Sequence, residues 1–172
     1  MNLAENFEEI LNAFNRFEVD YMIVGGYAVI FHGYGRSTGD LDIWVNPTYT
    51  NKEKIIHAFA SLAYDSESLL QIENLDFSKP FSFKVGEGLF VVDVLNSISG
   101  LIYEEEKKQV IPFDYSEKLS VNFIHLHDLV TNKMSTGRLK DLADVEELQK
   151  IHIFSKNTSI IHKIKALFKK KE

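Results

Sequence analysis

Apolar residues recur every three or four positions near the start of the chain. Leu3, Phe7, Ile10, Leu11, Phe14 and Phe17 share one helical face, which predicts an amphipathic helix ending near residues 16–18. "YMIVGG" then reads as a buried strand broken at Gly25 and Gly26, and "YAVIFHGYG" as a short apolar helix closed by glycines. "DLDIWVNP" is a strand stopped by Asn46 and Pro47. From Asn51, "NKEKIIHAFASLAY" predicts a helix with Ile55, Ile56, Phe59 and Leu62 inward. "FSFKVGEGLFVVDVLN" predicts a hairpin turning at Gly86, Glu87 and Gly88. "SGLIYEEEKK" is a short polar helix, and "QVIPFDY" and "LSVNFIHL" are two more strands. From His127 onward the pattern is helical throughout, in three pieces: "HDLVTNKMSTG", "RLKDLADVEELQKI" and "NTSIIHKIKALFKK".

Strands and helices alternate first and helices alone follow. The expected fold is therefore α/β, in the α+β sense: a mixed sheet with flanking helices and a helical C-terminal subdomain. At 172 residues one domain is expected, with a core over about 1–124 and the helical part over about 125–172. Hydrophobic residues make up 45% and charged residues 26%, so the chain can build an ordinary core. A net charge of −6 argues against coating nucleic acid through bulk positive charge, yet leaves room for a local basic groove. There is no Cys, which rules out disulfides and thiolate metal sites. "MNLAENFEEILNAF" has no basic stretch ahead of an apolar one, and no apolar run approaches the ~20 residues needed to span a bilayer. The expectation is a cytoplasmic protein with no membrane partner.

The candidate chemistry lies where charge interrupts apolar strands. Asp is depleted in strands, and a buried carboxylate without a partner is costly. Asp40 and Asp42 stand two apart, hence on one strand face about 7 Å apart, while Leu41 and Ile43 point the other way. Asp93 interrupts "LFVVDVLN" in the same manner. If the two strands are neighbours, the three carboxylates converge. An all-oxygen set of this kind suits Mg²⁺, and three carboxylates can hold two such ions for an in-line phosphoryl displacement. Gly25 and Gly26, between strand and helix, let backbone N–H groups approach a phosphate closely.

"VGGYAVIFHGYGRSTGDLDIWV" resembles the first signature of the nucleotidyltransferase superfamily that includes DNA polymerase beta. More narrowly it is similar to minimal bacterial members, the abortive-infection toxins and the aminoglycoside nucleotidyltransferases. Gly25, Gly26, Asp40, Asp42 and Asp93 fit the family pattern. The abortive-infection group adds a Lys motif and an Asp-x-x-Asp motif, matched here by Lys133, Asp141 and Asp144 in "TNKMSTGRLKDLADV". The match departs at Thr136, where a small Ala is the expected residue. The resemblance implies transfer of a nucleoside monophosphate from an NTP to an acceptor hydroxyl, with two Mg²⁺ ions and release of pyrophosphate. It implies that Asp40 and Asp42 bind both ions, and that Asp93 completes the one that activates the nucleophile. Gly25 and Gly26 would cradle the β and γ phosphates. Lys133, with Arg36 or Arg138, would meet the triphosphate, and Asp141 and Asp144 would bind the acceptor or hold Arg138 and Lys140.

Plainer readings compete at each position. Gly39 makes a turn at Asp40 and Asp42 an alternative, Asp93 is compatible with a carboxylate bonded to backbone N–H groups, and Lys133, Arg138 and Lys140 with a solvated face. His125 and His127 alternate, but two histidines rarely make a metal site, and His127 starts a helix. His32 reads as packing near its helix end. The basic tail "KIKALFKKKE" reads as a solvated helix end, with RNA contact the lesser option. Two other functions remain open at this level: a non-catalytic nucleotide-binding or toxin–antitoxin protein with a cognate partner, and a nucleotide-sugar glycosyltransferase using Asp-x-Asp. The acceptor classes open at this level are a tRNA end, a protein and a small molecule.

Overall fold

The computed structural model describes the backbone of residues 5–86 and 91–168 and the side chains of 7–86 and 91–153. Leu3, the hairpin turn at Glu87 and Gly88, and the side chains of the basic tail lie outside the described residues. The element order is α1 (Glu5–Arg16), β1 (Tyr21–Ile23), α2 (Gly25–Phe31), β2 (Asp40–Val45), α3 (Tyr49–Ser61), α4 (Ser66–Glu73), β3 (Ser82–Val85), β4 (Val91–Leu95), α5 (Tyr103–Glu106), a 3-10 turn at Lys107–Gln109, β5 (Ile111–Ser116), β6 (Leu119–Phe123), α6 (Leu126–Thr136) and α7 (Leu139–Phe168). The fold is mixed α/β, as the alternation of patterns predicts.

The six strands form one sheet in the order β3-β4-β2-β1-β6-β5. β2 and β4 are parallel, as are β1 and β6, and the remaining neighbours are antiparallel. One face carries Leu41, Ile43, Val92 and Val94, all buried, under α1, α2 and α3. Aromatic edges lock this layer: Phe14 meets Tyr21 at 5.6 Å and Phe59 at 5.5 Å, and Phe31 stacks on Phe123 at 4.1 Å. Fully burying one such ring contributes about 1.5–3 kcal/mol, so the fold rests chiefly on this face. The opposite face changes character along β2. Trp44 is buried edge-on against Tyr103 at 5.1 Å, Asp42 is half-buried and Asp40 exposed. The sheet thus opens from a packed end to a polar rim.

Three differences from the sequence reading have local causes. α4 appears where the pattern gave no element. Of its residues only Ile72 is buried, which leaves no periodic stripe, while Asp65 caps the helix through Glu67 and Ser68 N–H at 2.9 Å. α3 begins two residues before Asn51, because Thr48 accepts the Asn51 N–H at 3.2 Å. The last two predicted helices are one, α7, since "FSKNTS" contains neither Gly nor Pro and Ser and Asn only weaken a helix. No helix among the described residues is long and apolar enough to cross a membrane.

Candidate active site

The register of the sheet brings the acidic residues together. Asp42 pairs with Asp93 across the parallel β2–β4 contact, and Asp40 with Val91. Paired residues on neighbouring strands lie about 5 Å apart and point to the same face, so the three carboxylates share the open rim. Among the described residues neither Asp42 nor Asp93 has a cation in contact. Burial raises the Asp42 carboxyl above the ordinary range, and Asp93 and Asp40 push it further. The Gly26 N–H and the more distant Lys133 act against this. Asp93 is also raised, by burial and by Asp40, against the pull of Lys84. One oxygen, Asp93 Oδ1, is buried without a donor among the described residues. Leaving such an atom unsatisfied costs about 1–3 kcal/mol, a cost that a bound cation removes. Among the described residues no group of three or more His, Asp or Glu side chains is arranged to hold a metal ion by itself. Mg²⁺ does not require this, because it keeps waters and completes its shell from substrate phosphates. The donor set, all oxygen and under-satisfied, therefore fits that ion.

The glycine turn is fitted to Asp42. Val24 N–H donates to the Asp42 carbonyl at 3.0 Å, tying the end of β1 to β2. Gly26 N–H points at Asp42 Oδ2, 3.4 Å away. Gly25 has φ +60, and a Cβ there would stand 1.9 Å from Asp42 Oδ2. A Cβ on Gly26 would stand 2.3 Å from Thr38 Oγ1 and 3.3 Å from Arg36 Nη2. Thr38 thus borders the turn, a position the sequence reading missed although it lies two residues before Asp40. Gly25→Ala is expected to displace the Asp42 carboxylate and to lower Mg²⁺ affinity at least about ten-fold, with a loss of stability of ~1–2 kcal/mol from the left-handed φ. Isothermal titration with Mg²⁺ alongside thermal melting checks this; equal Mg²⁺ affinity in the two proteins would refute the fitted turn.

The C-terminal residues form an ion cluster that Arg36 links to the turn. Lys133 is buried, with Nζ 2.7 Å from Asp141 Oδ1 and 2.8 Å from Asp144 Oδ2. Arg36 grips Asp144: Nη2 donates to Oδ2 at 3.1 Å, and Nε lies 2.8 Å from Oδ1 in an ionic contact not aligned as a hydrogen bond. Arg138 Nε donates to Asp141 Oδ2 at 2.6 Å, and Thr136 Oγ1 lies 2.6 Å from the same oxygen. Thr136, the departure from the family pattern, is therefore part of the cluster. Burial would raise the Asp141 carboxyl, but Lys133, Thr136 and Arg138 hold it at about 2. Asp141 and Asp144 are buried and engaged with these partners, not with Lys140. Arg138 keeps its side chain 74% exposed. Arg36 is pinned rather than loose, and joins the cluster to the glycine turn.

His32 and His125 make local backbone contacts. His32 Nε2 sits 2.9 Å from the Ile124 carbonyl at the end of α2, and His125 Nδ1 accepts the His127 N–H at 3.3 Å to cap α6.

A search of curated proteins finds no match. Among solved structures, a Thermotoga maritima protein described as a "putative nucleotidyltransferase" aligns with a TM-score of 0.49 and 11% identity, over 88% of this chain and 91% of that one. That likeness is too distant to bear on the site. A family model does span nearly the whole sequence, and over residues 1–166 the chain belongs to the family described as nucleotidyltransferase of unknown function, DUF6036.

Proposed function

We propose that this chain is a Mg²⁺-dependent transferase that moves a nucleoside monophosphate from an NTP to an acceptor hydroxyl. The observation that carries the reading is the pairing of Asp42 with Asp93 on adjacent parallel strands, with Asp40 on the same face and the Gly25–Gly26 turn against Asp42. Two Mg²⁺ ions, when bound, would acidify the attacking hydroxyl and stabilise the leaving pyrophosphate. Asp40 and Asp42 would ligate both ions, and Asp93 the one on the acceptor side. Gly25 and Gly26, lacking a Cβ, would let the β and γ phosphates approach the turn, while the Gly26 N–H steadies Asp42. The acceptor oxygen bonds to the α-phosphorus as the bond from that phosphorus to the β-bridging oxygen breaks. The electron pair leaves with pyrophosphate, and the hydroxyl proton passes to the Asp93 carboxylate and on to water.

Lys133, Asp141 and Asp144 are positioning residues in this reading. Their mutual contacts fix the α6–α7 hairpin against Arg36, and so against the phosphate turn. Arg138, though exposed, is held by Asp141 and helps to fix the same hairpin. The Lys133–Asp141–Asp144 contact also favours likeness to the abortive-infection toxins over the aminoglycoside enzymes.

The test uses the purified chain, Mg²⁺ and each of the four α-labelled NTPs, with total RNA, lysate protein and a small-molecule pool as acceptors. Label is expected in one pool, and absent with Asp93→Asn. Measurable Mg²⁺–NTP binding with no label in any pool would refute the transferase and leave a nucleotide-binding protein.

A further inference from the structure

The order of the strands gives the open rim a direction. Across the sheet the groups run from the Gly25–Gly26 turn after β1, to Asp40 and Asp42 on β2, to Asp93 on β4, and then to β3 at the edge. On β3, Lys84 is the register partner of Asp93 and so shares the carboxylate face. Lys84 is exposed, and among the described residues it makes no hydrogen bond or ion pair. Among the described residues it is the one cation on this face that the mechanism above leaves unused. The other basic groups near the site, Lys133, Arg36 and Arg138, are all engaged with Asp141 or Asp144.

We infer that Lys84 binds the acceptor, and that the acceptor carries a phosphate close to its reacting hydroxyl. The inference rests on the transferase reading, in which the NTP lies on the glycine side and the nucleophile arrives past Asp93. With ions on the rim, the three carboxylates are more than neutralised, and the Lys84 ammonium then faces the incoming acceptor without a counter-charge. A phosphate oxygen supplies one. An uncharged or cationic acceptor does not. The chain's net charge of −6 fits a contact with one phosphate near a strand end or on a free nucleotide, and not with a long duplex. Sequence reading could not find Lys84, because its role depends on the β3–β4 register.

Equilibrium binding to the full chain tests this with four probes: a non-hydrolysable NTP with Mg²⁺, an RNA trinucleotide with a free 3′-hydroxyl, a nucleoside 5′-monophosphate, and the bare nucleoside. The acceptor probes are measured with the NTP analogue already bound. Lys84→Ala is expected to weaken at least one phosphate-bearing acceptor about ten-fold, to leave the nucleoside and the NTP analogue unchanged, and to be largely rescued by Lys84→Arg. Loss confined to the trinucleotide assigns the phosphate to an RNA end, and loss with the monophosphate assigns it to a free nucleotide. Unchanged binding of both, an equal loss for the NTP analogue, or no acceptor binding by the wild-type chain overturns the inference. If the wild-type chain does not bind the NTP analogue with Mg²⁺, the transferase reading fails first and the role of Lys84 falls with it.

Discussion

Asp42→Asn is expected to abolish nucleotidyl transfer, by at least about 10³-fold, while making the metal-free protein more stable at neutral pH. The two effects have one cause. Asp42 is held among Asp93, Asp40 and a partly buried strand, where its charge is unwelcome unless a cation arrives. Its folded carboxyl titrates above its unfolded one, so the folded state holds the proton more tightly. Below the unfolded value, near ~3.9, both states are protonated and nothing is lost. As pH rises through the folded value, wild-type stability falls, and the loss is complete above it. Asn carries no charge and still offers an oxygen to the Gly26 N–H, so it escapes this penalty. The difference in melting temperature, variant minus wild type, should therefore grow from about pH 4 upward and then level off. Mg²⁺ should raise the melting temperature of the wild type at pH 7 and leave the variant nearly unmoved. A difference that stays flat with pH, or equal stabilisation of both proteins by Mg²⁺, would contradict the site as described.

The parts legible in the sequence are those where one residue violates its local pattern. Asp42 and Asp93 stand out because each interrupts an apolar strand, and Gly25 and Gly26 because they end one. Whether the acids meet depends on the pairing of β2 with β4, which are separated by two helices and another strand. Only the register supplies that, and it supplies Lys84 at the same time. The state of Lys133 was equally hidden. A lysine in a polar helix reads as solvated or phosphate-bound, and its burial follows from carboxylates on the next helix. Thr38 shows the opposite case. It sits in plain view between Arg36 and Asp40, but its importance comes from the Cβ that Gly26 lacks. Helix ends were the weakest part, since α4 buries too little to leave a stripe and α7 runs through residues that merely disfavour helix.

Lys133→Met should produce the largest loss of stability of any single substitution considered. The side chain keeps its length and packing, but Asp141 loses one of two cations and Asp144 loses one of two. Removing one member of a buried ion pair costs about 3–5 kcal/mol, because the remaining charge stays out of water. For a chain of this size that corresponds to a fall in melting temperature of roughly 10 °C. The pH dependence identifies the cause. In the wild type Asp141 is held at about 2, so its contribution is complete above ~4 and is lost as pH falls toward 2. In the variant burial acts with less opposition and that contribution shrinks. The melting difference between wild type and variant should then be widest above pH 4 and close as the carboxylates protonate. Function should suffer through Arg36. With Asp144 no longer neutralised by Lys133, Arg36 is drawn more strongly to it and away from the turn at Gly26, so Mg²⁺–NTP affinity should fall even at temperatures where the variant is folded. Restoring stability with Lys133→Met/Asp141→Asn, while NTP affinity stays low, would place the defect in Arg36 and the phosphate turn. An unchanged melting temperature in Lys133→Met would mean that the ion cluster holds nothing in place, and that Lys133 acts, if at all, on the nucleotide directly.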